Sequence, residues 1–193
     1  ADVAYRVNVE MVGDALPAKL SADVTSGQLC ALYKGAMEFG PRALGHRSIL
    51  ADPRRASVRD DLNLRFKKRE WFQPFCPSML LEEKDRLFID CSDNPHMTSA
   101  FSLKPEAILA LPAIAHVDGT ARPQFVTRER DVQMYEFLSL IKRETGYGVV
   151  LNTSFNIHGR PIVMTPRDAI DDFFACSIDV LYLGKYRLTR KLL

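Results

Sequence analysis

Apolar positions along this chain fall in short blocks whose spacing switches between alternation and helical stripes, a pattern of strands interleaved with helices. Alternating Val3, Tyr5, Val7 and Val9 predict a first strand, and a short helix from about Leu20 leads to a buried strand at Leu29–Tyr33. Next come Ile49–Ala51 and a helix running to about Lys67, in which Ser57-Val58-Arg59-Asp60 reads as a capping box with Ser57 as the cap. A strand is expected through Pro74–Leu81, then a polar stretch holding Cys91–His96 and a short helix near Glu106–Leu111. From Asp131 to Glu144, the residues Met134, Phe137, Leu138 and Ile141 form one helical stripe, which Gly146 is placed to end. A buried strand, Gly148–Leu151, follows. Thr165-Pro166-Arg167-Asp168 combines a cap, a first-turn proline and a first-turn acid, opening a helix to about Ala175. Ile178–Leu183 reads as a further buried strand and Tyr186–Lys191 as a basic, strand-like tail. No internal repeat, low-complexity run or domain boundary interrupts this order. The expectation is one α/β sheet domain over residues 1–193.

A chain of 193 residues, 47% of them hydrophobic, can bury a sizeable core without disulfides or structural metal. Its 26 Lys+Arg against 24 Asp+Glu leave a net charge of +2, too little to attract nucleic acid or a membrane surface by charge alone. Any anion site must therefore be local. Cys30, Cys76, Cys91 and Cys176 are scattered, with no CxxC pair, no spaced Cys/His set and no secretory leader, which predicts reduced core thiols in a cytoplasmic protein. No apolar run approaches the ~20 residues of a membrane helix. The start at Ala1-Asp2-Val3, without an initiator methionine or a flexible linker, predicts a fragment of a longer polypeptide.

The segment most unlike ordinary scaffold is Gly35–Ser48, which places three glycines and two arginines in a loop after a strand. Gly40 and Gly45 match the glycines of a P-loop only superficially, because His46 and Arg47 stand where that motif needs Lys and Ser/Thr. Pro41 also lacks the N–H such a cradle uses. What remains is an arginine-based anion site: Arg42 and Arg47 can each offer paired donors to phosphate, although two surface arginines on a turn explain this loop equally well. A second cluster, Arg65-Phe66-Lys67-Lys68-Arg69-Glu70, closes a predicted helix, where cations ordinarily just complement the helix dipole. The aromatics of Trp71-Phe72-Gln73-Pro74-Phe75 directly beside it are unusual for a solvated helix end. In the third segment, Asn152, Ser154 and Asn156 alternate on an extended chain and so share a face that suits phosphate or ribose hydroxyls; a plain turn is as common there. Asp118–Gln124 adds a turn and a lone Arg122 fixed before Pro123.

In this order the four segments resemble the C-terminal domain of the carbamoyltransferase family that includes the nodulation carbamoyltransferases and tobramycin carbamoyltransferase. The match runs from about Leu20 to Arg190 and is carried by Met37–Pro53, Lys67–Ser78, Val117–Gln124, and Leu151–Asn156 with Gly159–Val163. The resemblance implies a YrdC-like fold, an open twisted mixed α/β sheet with flanking helices, whose concave basic face binds ATP with Mg²⁺ and carbamoyl phosphate. Carbamoyl phosphate would be hydrolysed there to carbamate, which attacks the α-phosphate of ATP to give carbamoyl adenylate and pyrophosphate. By position, Arg42, Lys67, Arg122, Ser154 and Asn156 fall where the family binds nucleotide or carbamoyl phosphate, with Arg47 and Arg69 as further candidates and Arg42 and Lys67 as the expected catalytic residues.

The chemistry suits those residue types, since adenylyl transfer needs positioning and charge cancellation more than a protein base. Gln73 stands where the family often has arginine, which puts a phosphate role at that position in doubt. His46 reads as packed in a turn rather than as a base, and His96, His116 and His158 as structural or exposed. The implied partners are small-molecule substrates and a preceding metal-binding domain, related to the sugar-kinase and actin superfamily. That domain would pass the carbamoyl group to a hydroxyl of a nodulation factor or another sugar, and its ligand histidines are missing here. A homodimer stays open. Two other readings also stay open: an RNA-binding or tRNA-modifying YrdC-like module, against which the near-neutral charge argues, and a non-catalytic nucleotide-binding domain.

Overall fold

A computed structural model describes residues 6–157 and 159–191. In chain order the elements are β1 (Val7–Met11), α1 (Leu16–Thr25), β2 (Cys30–Tyr33), β3 (Arg47–Ala51), α2 (Ser57–Asp61), a π-helical turn (Leu62–Lys67), β4 (Cys76–Leu80), α3 (Lys84–Leu87) and β5 (Phe101–Ser102). They continue with α4 (Pro105–Ala110), β6 (Thr120–Ala121), β7 (Gln124–Val126), α5 (Val132–Thr145), β8 (Val149–Ser154), α6 (Pro166–Ala175), β9 (Val180–Leu183) and β10 (Tyr186–Arg190). Eight strands form an open sheet in the order β1-β10-β9-β2-β3-β8-β4-β7, while β5 and β6 pair separately. The sheet is mixed: β2 with β9 and β4 with β7 run parallel, and the other neighbours antiparallel. This is the open mixed α/β sheet with flanking helices that the resemblance implies.

Alternation along the strands divides the core between the two faces. Cys30, Leu32, Leu50, Leu80, Val150 and Tyr182 meet α1 and α5 through Leu16, Leu20, Val24, Met134, Phe137, Leu138 and Ile141. On the other face Ala31, Ile49, Met79, Leu151 and Leu181 pack with Val58, Leu62, Phe66, Ala107, Leu111 and Phe173. The stripe predicted for α5 is thus its buried face. Asp131 caps that helix by accepting the Met134 N–H at 3.0 Å, and Gly146, at φ 82°, ends it in the left-handed conformation that glycine adopts without penalty. Thr165 and Asp168 form the capping box expected for α6.

Several boundaries differ from the sequence expectation, three of which are instructive. The first strand covers Val7–Met11, and the part anticipated at Val3 and Tyr5 lies outside the described residues. Helix α1 begins at Leu16, four residues before Leu20, because Pro17 sits in the first turn, where a missing N–H breaks no helical bond. Ser57 is not a cap: Ala56 before it is already helical (φ −58°, ψ −35°), so Ser57 lies inside α2 without the extended backbone a capping side chain needs. The four cysteines are free thiols, two buried and two half-buried.

The fold positions the site through one polar end of the α5-facing side. Leu80, Val150 and Val126 are apolar there, but the next same-face positions towards the end of β8 are Ser78, Asn152 and Gln124, brought side by side by the pairings Cys76↔Asn152 and Ser78↔Gln124. All three are buried.

Candidate active site

Three arginines from separate segments converge where β8 leaves the sheet. Arg42 comes from the Gly35–Ser48 loop, Arg69 from the turn after the π-helical segment and Arg122 from between β6 and β7. They wall a cleft of about 120 Å³ that is also lined by Cys76, Met97, Asn152, Thr153 and Ser154, with no carboxylate among the lining residues. Gathered cations without a counter-charge make a strongly positive local field, suited to phosphate or another compact anion.

The Gly35–Ser48 loop does not cradle a ligand with its backbone. Glu38 turns inward instead, and its Oε1 accepts the N–H groups of Leu44 and His46 at 2.7 Å each and of Arg47 at 3.4 Å. With those amides satisfied internally, the loop presents the Arg42 side chain, which makes no hydrogen bond or ion pair among the described residues. His46 is tied to the same framework: Nδ1 pairs with the Ala36 carbonyl at 2.7 Å and Nε2 lies 3.5 Å from Asp131. The bond to Asp131 chiefly raises its pKa above the usual histidine value.

Lys67, Ser154 and Asn156 meet beside the cleft. The Lys67 ammonium donates to the Ser154 carbonyl (2.7 Å) and Oγ (3.2 Å) and to the Asn156 carbonyl (3.1 Å) and Oδ1 (2.8 Å). Ser154 Oγ donates to Asn156 Oδ1 at 2.6 Å, so the two side chains share a face, while Phe155 between them is fully buried. Burial, reinforced by repulsion from Arg69, lowers the Lys67 pKa to about 7. Its four oxygen partners are neutral, so no counter-charge in direct contact offsets the burial.

Asn63 organises the chain around Lys67 and Arg69. It is fully buried, donates from Nδ2 to the carbonyls of Trp71 and Gln73 at 2.9 Å each, and accepts from Arg69 Nε at 2.6 Å. Arg69 also stacks on Phe75, its Cζ 4.5 Å from the ring centroid. The π-helical turn and the left-handed Lys68 (φ 47°) that follows place Lys67 and Arg69 on the cleft side of this hub. Gln73 contributes its backbone carbonyl and does not line the cleft.

Arg42, Arg69, Arg122 and Ser154 therefore line the cleft, and Lys67 and Asn156 join it through Ser154. Arg47 is placed elsewhere. It is buried, its guanidinium donates to the carbonyls of Lys34 (2.7 Å), His46 (3.0 Å) and Gly35 (3.1 Å), and it stacks on Tyr33 at 3.6 Å. As the first residue of β3 it closes the end of the β2–β3 pair, and its guanidinium is buried there and does not line the cleft. Sequence reasoning did not single out Asn63, Glu38 or Cys76. For Asn63 the available signal was a polar residue between Leu62 and Leu64 in an apolar helix. A larger cavity, about 400 Å³, shares no lining residue with the cleft. It is lined by Met37, Pro161–Met164, Asp168, Asp171 and Asp172, and its one arginine, Arg160, is paired with Asp172 at 3.0 Å, so it offers no site for a polyanion.

This chain is similar to several known proteins. An uncharacterized protein of Methanocaldococcus jannaschii is 49% identical over 97% of this chain and 31% of its own length. The nodulation protein NolNO of Sinorhizobium fredii is 37% identical over 92% of this chain and 27% of its own. The 3'-hydroxymethylcephem-O-carbamoyltransferase of Streptomyces clavuligerus is 35% identical over 79% of this chain and 29% of its own. The chain thus spans less than a third of the length of each of these relatives. Among solved structures, P. abyssi Sua5 complexed with L-threonine superposes with a TM-score of 0.65 at 13% identity, over 91% of this chain and 48% of that one. Full-length HypF in its phosphate- and nucleotide-bound form gives 0.61 at 18% identity, over 92% and 25%. At these identities the two share the fold. Residues 21–190, which carry every element of the cleft, match the family described as the carbamoyltransferase C-terminus, and the chain belongs to that family.

Proposed function

We propose that this chain is the nucleotide-handling part of an ATP-dependent O-carbamoyltransferase and forms carbamoyl adenylate in the arginine cleft. The observation that carries this reading is the convergence of Arg42, Arg69 and Arg122, without a carboxylate, beside the Lys67–Ser154–Asn156 cluster. The nucleotide- and phosphate-bound state of HypF, which shares the fold, supports it, as does the carbamoyl transfer for which the Streptomyces clavuligerus relative is named.

In this reading the cleft, small for a whole nucleotide, takes the reacting phosphoryl and carbamoyl groups, and the nucleoside lies over the surface beyond it. Water cleaves carbamoyl phosphate to carbamate and inorganic phosphate. A carbamate oxygen then attacks the α-phosphorus of ATP, the bond to the β-phosphate oxygen breaks, and pyrophosphate leaves with that electron pair. The arginines and Lys67 hold the phosphoryl oxygens and offset the charge gathered on them. Mg²⁺ would arrive with the triphosphate, whose oxygens supply much of its coordination. Transfer to an acceptor hydroxyl falls to the remainder of the longer protein.

The test is pyrophosphate release from ATP and Mg²⁺ by the purified protein. Release that requires carbamoyl phosphate is expected, and none above the rate without protein overturns the reading.

A further inference from the structure

We propose that Asn152 recognises the amine of a carbamoyl group and so separates carbamoyl phosphate from other acyl phosphates. The inference rests on the reading that carbamoyl phosphate enters the cleft.

Two backbone carbonyls, which can only accept, fix the direction of every hydrogen bond between them. The Leu44 carbonyl accepts Gln124 Nε2 at 2.8 Å, which turns Gln124 Oε1 towards Ser78 Oγ, 2.5 Å away. Ser78 must then donate its single proton to Gln124, leaving its lone pairs for Asn152 Nδ2 at 2.8 Å. The same Nδ2 donates its other proton to the Ala43 carbonyl at 3.1 Å. Reversing the Asn152 amide would set two acceptors against each other at Ala43, so the network admits one orientation. Both protons are placed, and Oδ1 points the other way.

That oxygen has no hydrogen-bond partner, although Asn152 is 2% exposed and lines the cleft. Buried polar atoms are almost always paired, and an orphan in a cleft wall marks where a ligand group belongs. The arginines around it are donors that suit phosphate, whereas a lone acceptor among them repels a bare anion and asks for an N–H. The Nε of Arg122, also buried and unpartnered, supplies the complementary donor. Carbamoyl phosphate carries a phosphate, a carbonyl oxygen and an NH₂ in one small molecule, and the long side chains of the cleft must part for it to reach Oδ1. Acetyl phosphate has the same shape with a methyl group in place of the amine and can satisfy only the donors.

Calorimetric titration of the complete protein with carbamoyl phosphate, acetyl phosphate and inorganic phosphate tests the assignment. The wild type is expected to prefer carbamoyl over acetyl phosphate by roughly 10- to 100-fold, the scale of one buried hydrogen bond. Asn152→Leu, close in volume, should erase that preference by weakening carbamoyl phosphate to the affinity of acetyl phosphate. If this variant does not fold, Asn152→Ser is titrated in its place. Equal wild-type affinities, or a preference that survives in a folded Asn152 variant, overturn the role of Asn152 and leave adenylate formation standing. No binding of carbamoyl phosphate at all, with acetyl and inorganic phosphate still bound, overturns the proposed function and this inference with it.

Discussion

The Lys67 ammonium lies 2.8 Å from Asn156 Oδ1, held by uncharged oxygens in a buried position next to Arg69, and its pKa falls to about 7. The free protein therefore holds this lysine about half protonated near neutral pH. An anion in the cleft favours the charged form and raises its pKa, so binding takes up a proton. Phosphate affinity should be full below pH 7 and decline as pH rises through 7, and calorimetry in buffers of different ionisation enthalpy should show proton uptake on binding near pH 7.5. Lys67→Gln should flatten both dependences. For stability the sign is opposite to that of an ordinary ion pair: the unfolded lysine stays protonated to about pH 10.4, so Lys67 makes the fold more stable as pH rises from 7 towards 10.

Arg42 and Arg47, five residues apart, should fail in different ways. Arg42→Ala removes a cleft cation without internal partners and is expected to weaken triphosphate binding by about 1.5–3 kcal/mol with little change in melting temperature. Arg47→Ala unties three backbone carbonyls and the stack on Tyr33, costing about 2–4 kcal/mol of stability. Denaturant unfolding and nucleotide titration of both variants check this, and the reverse pattern would contradict the placement of Arg47.

Phe155 and its neighbours make a second contrast. Phe155 is fully buried in the core on the α6 side, so Phe155→Ala should destabilise by about 3–5 kcal/mol. Ser154→Ala and Asn156→Ala should instead lower pyrophosphate release, since these side chains flank Lys67. Melting temperature and turnover measured for all three variants separate the classes.

Asp131 joins the Gly35–Ser48 loop to α5, accepting from Lys34 at 2.7 and 2.9 Å and from the Met134 N–H. Burial alone would raise its pKa, but His46, Lys34 and the Met134 amide outweigh it and hold the carboxyl well below the usual range. Its contribution is present above pH 4 and is lost as pH falls through that depressed value. The raised His46 contributes in the other direction, fully below pH 6.5 and lost as pH rises through its folded pKa. Asp131→Asn should cost about 2–4 kcal/mol by leaving the buried Lys34 without its counter-charge, while the amide keeps the α5 cap. In that variant the NMR-titrated pKa of His46 should drop; an unchanged value would show that Asp131 is not the cause of the shift.

Much of this protein is determined by local pattern. The stripe of Met134, Phe137, Leu138 and Ile141, the stop at Gly146 and the Thr165 capping box follow from interactions within one or two turns, and the structure keeps them. The alternation of Ser154, Phe155 and Asn156 predicted one ligand-side pair and one core residue, because in an extended chain that period is two. Tertiary structure decided which polar residues share a cleft. Arg42 and Arg47 are indistinguishable in their loop, and only the pairing of β3 with β2 buries one guanidinium on carbonyls while the other faces Arg69 and Arg122, which lie far away in sequence. The orphaned Asn152 Oδ1 depends on Ala43, Ser78, Gln124 and Leu44, four residues from three other segments, and no local spacing encodes that hydrogen-bond direction. Likewise the lowered Lys67 pKa arises from burial against a strand more than eighty residues on, since desolvation depends on what the folded chain stacks around a charge and not on its sequence neighbours.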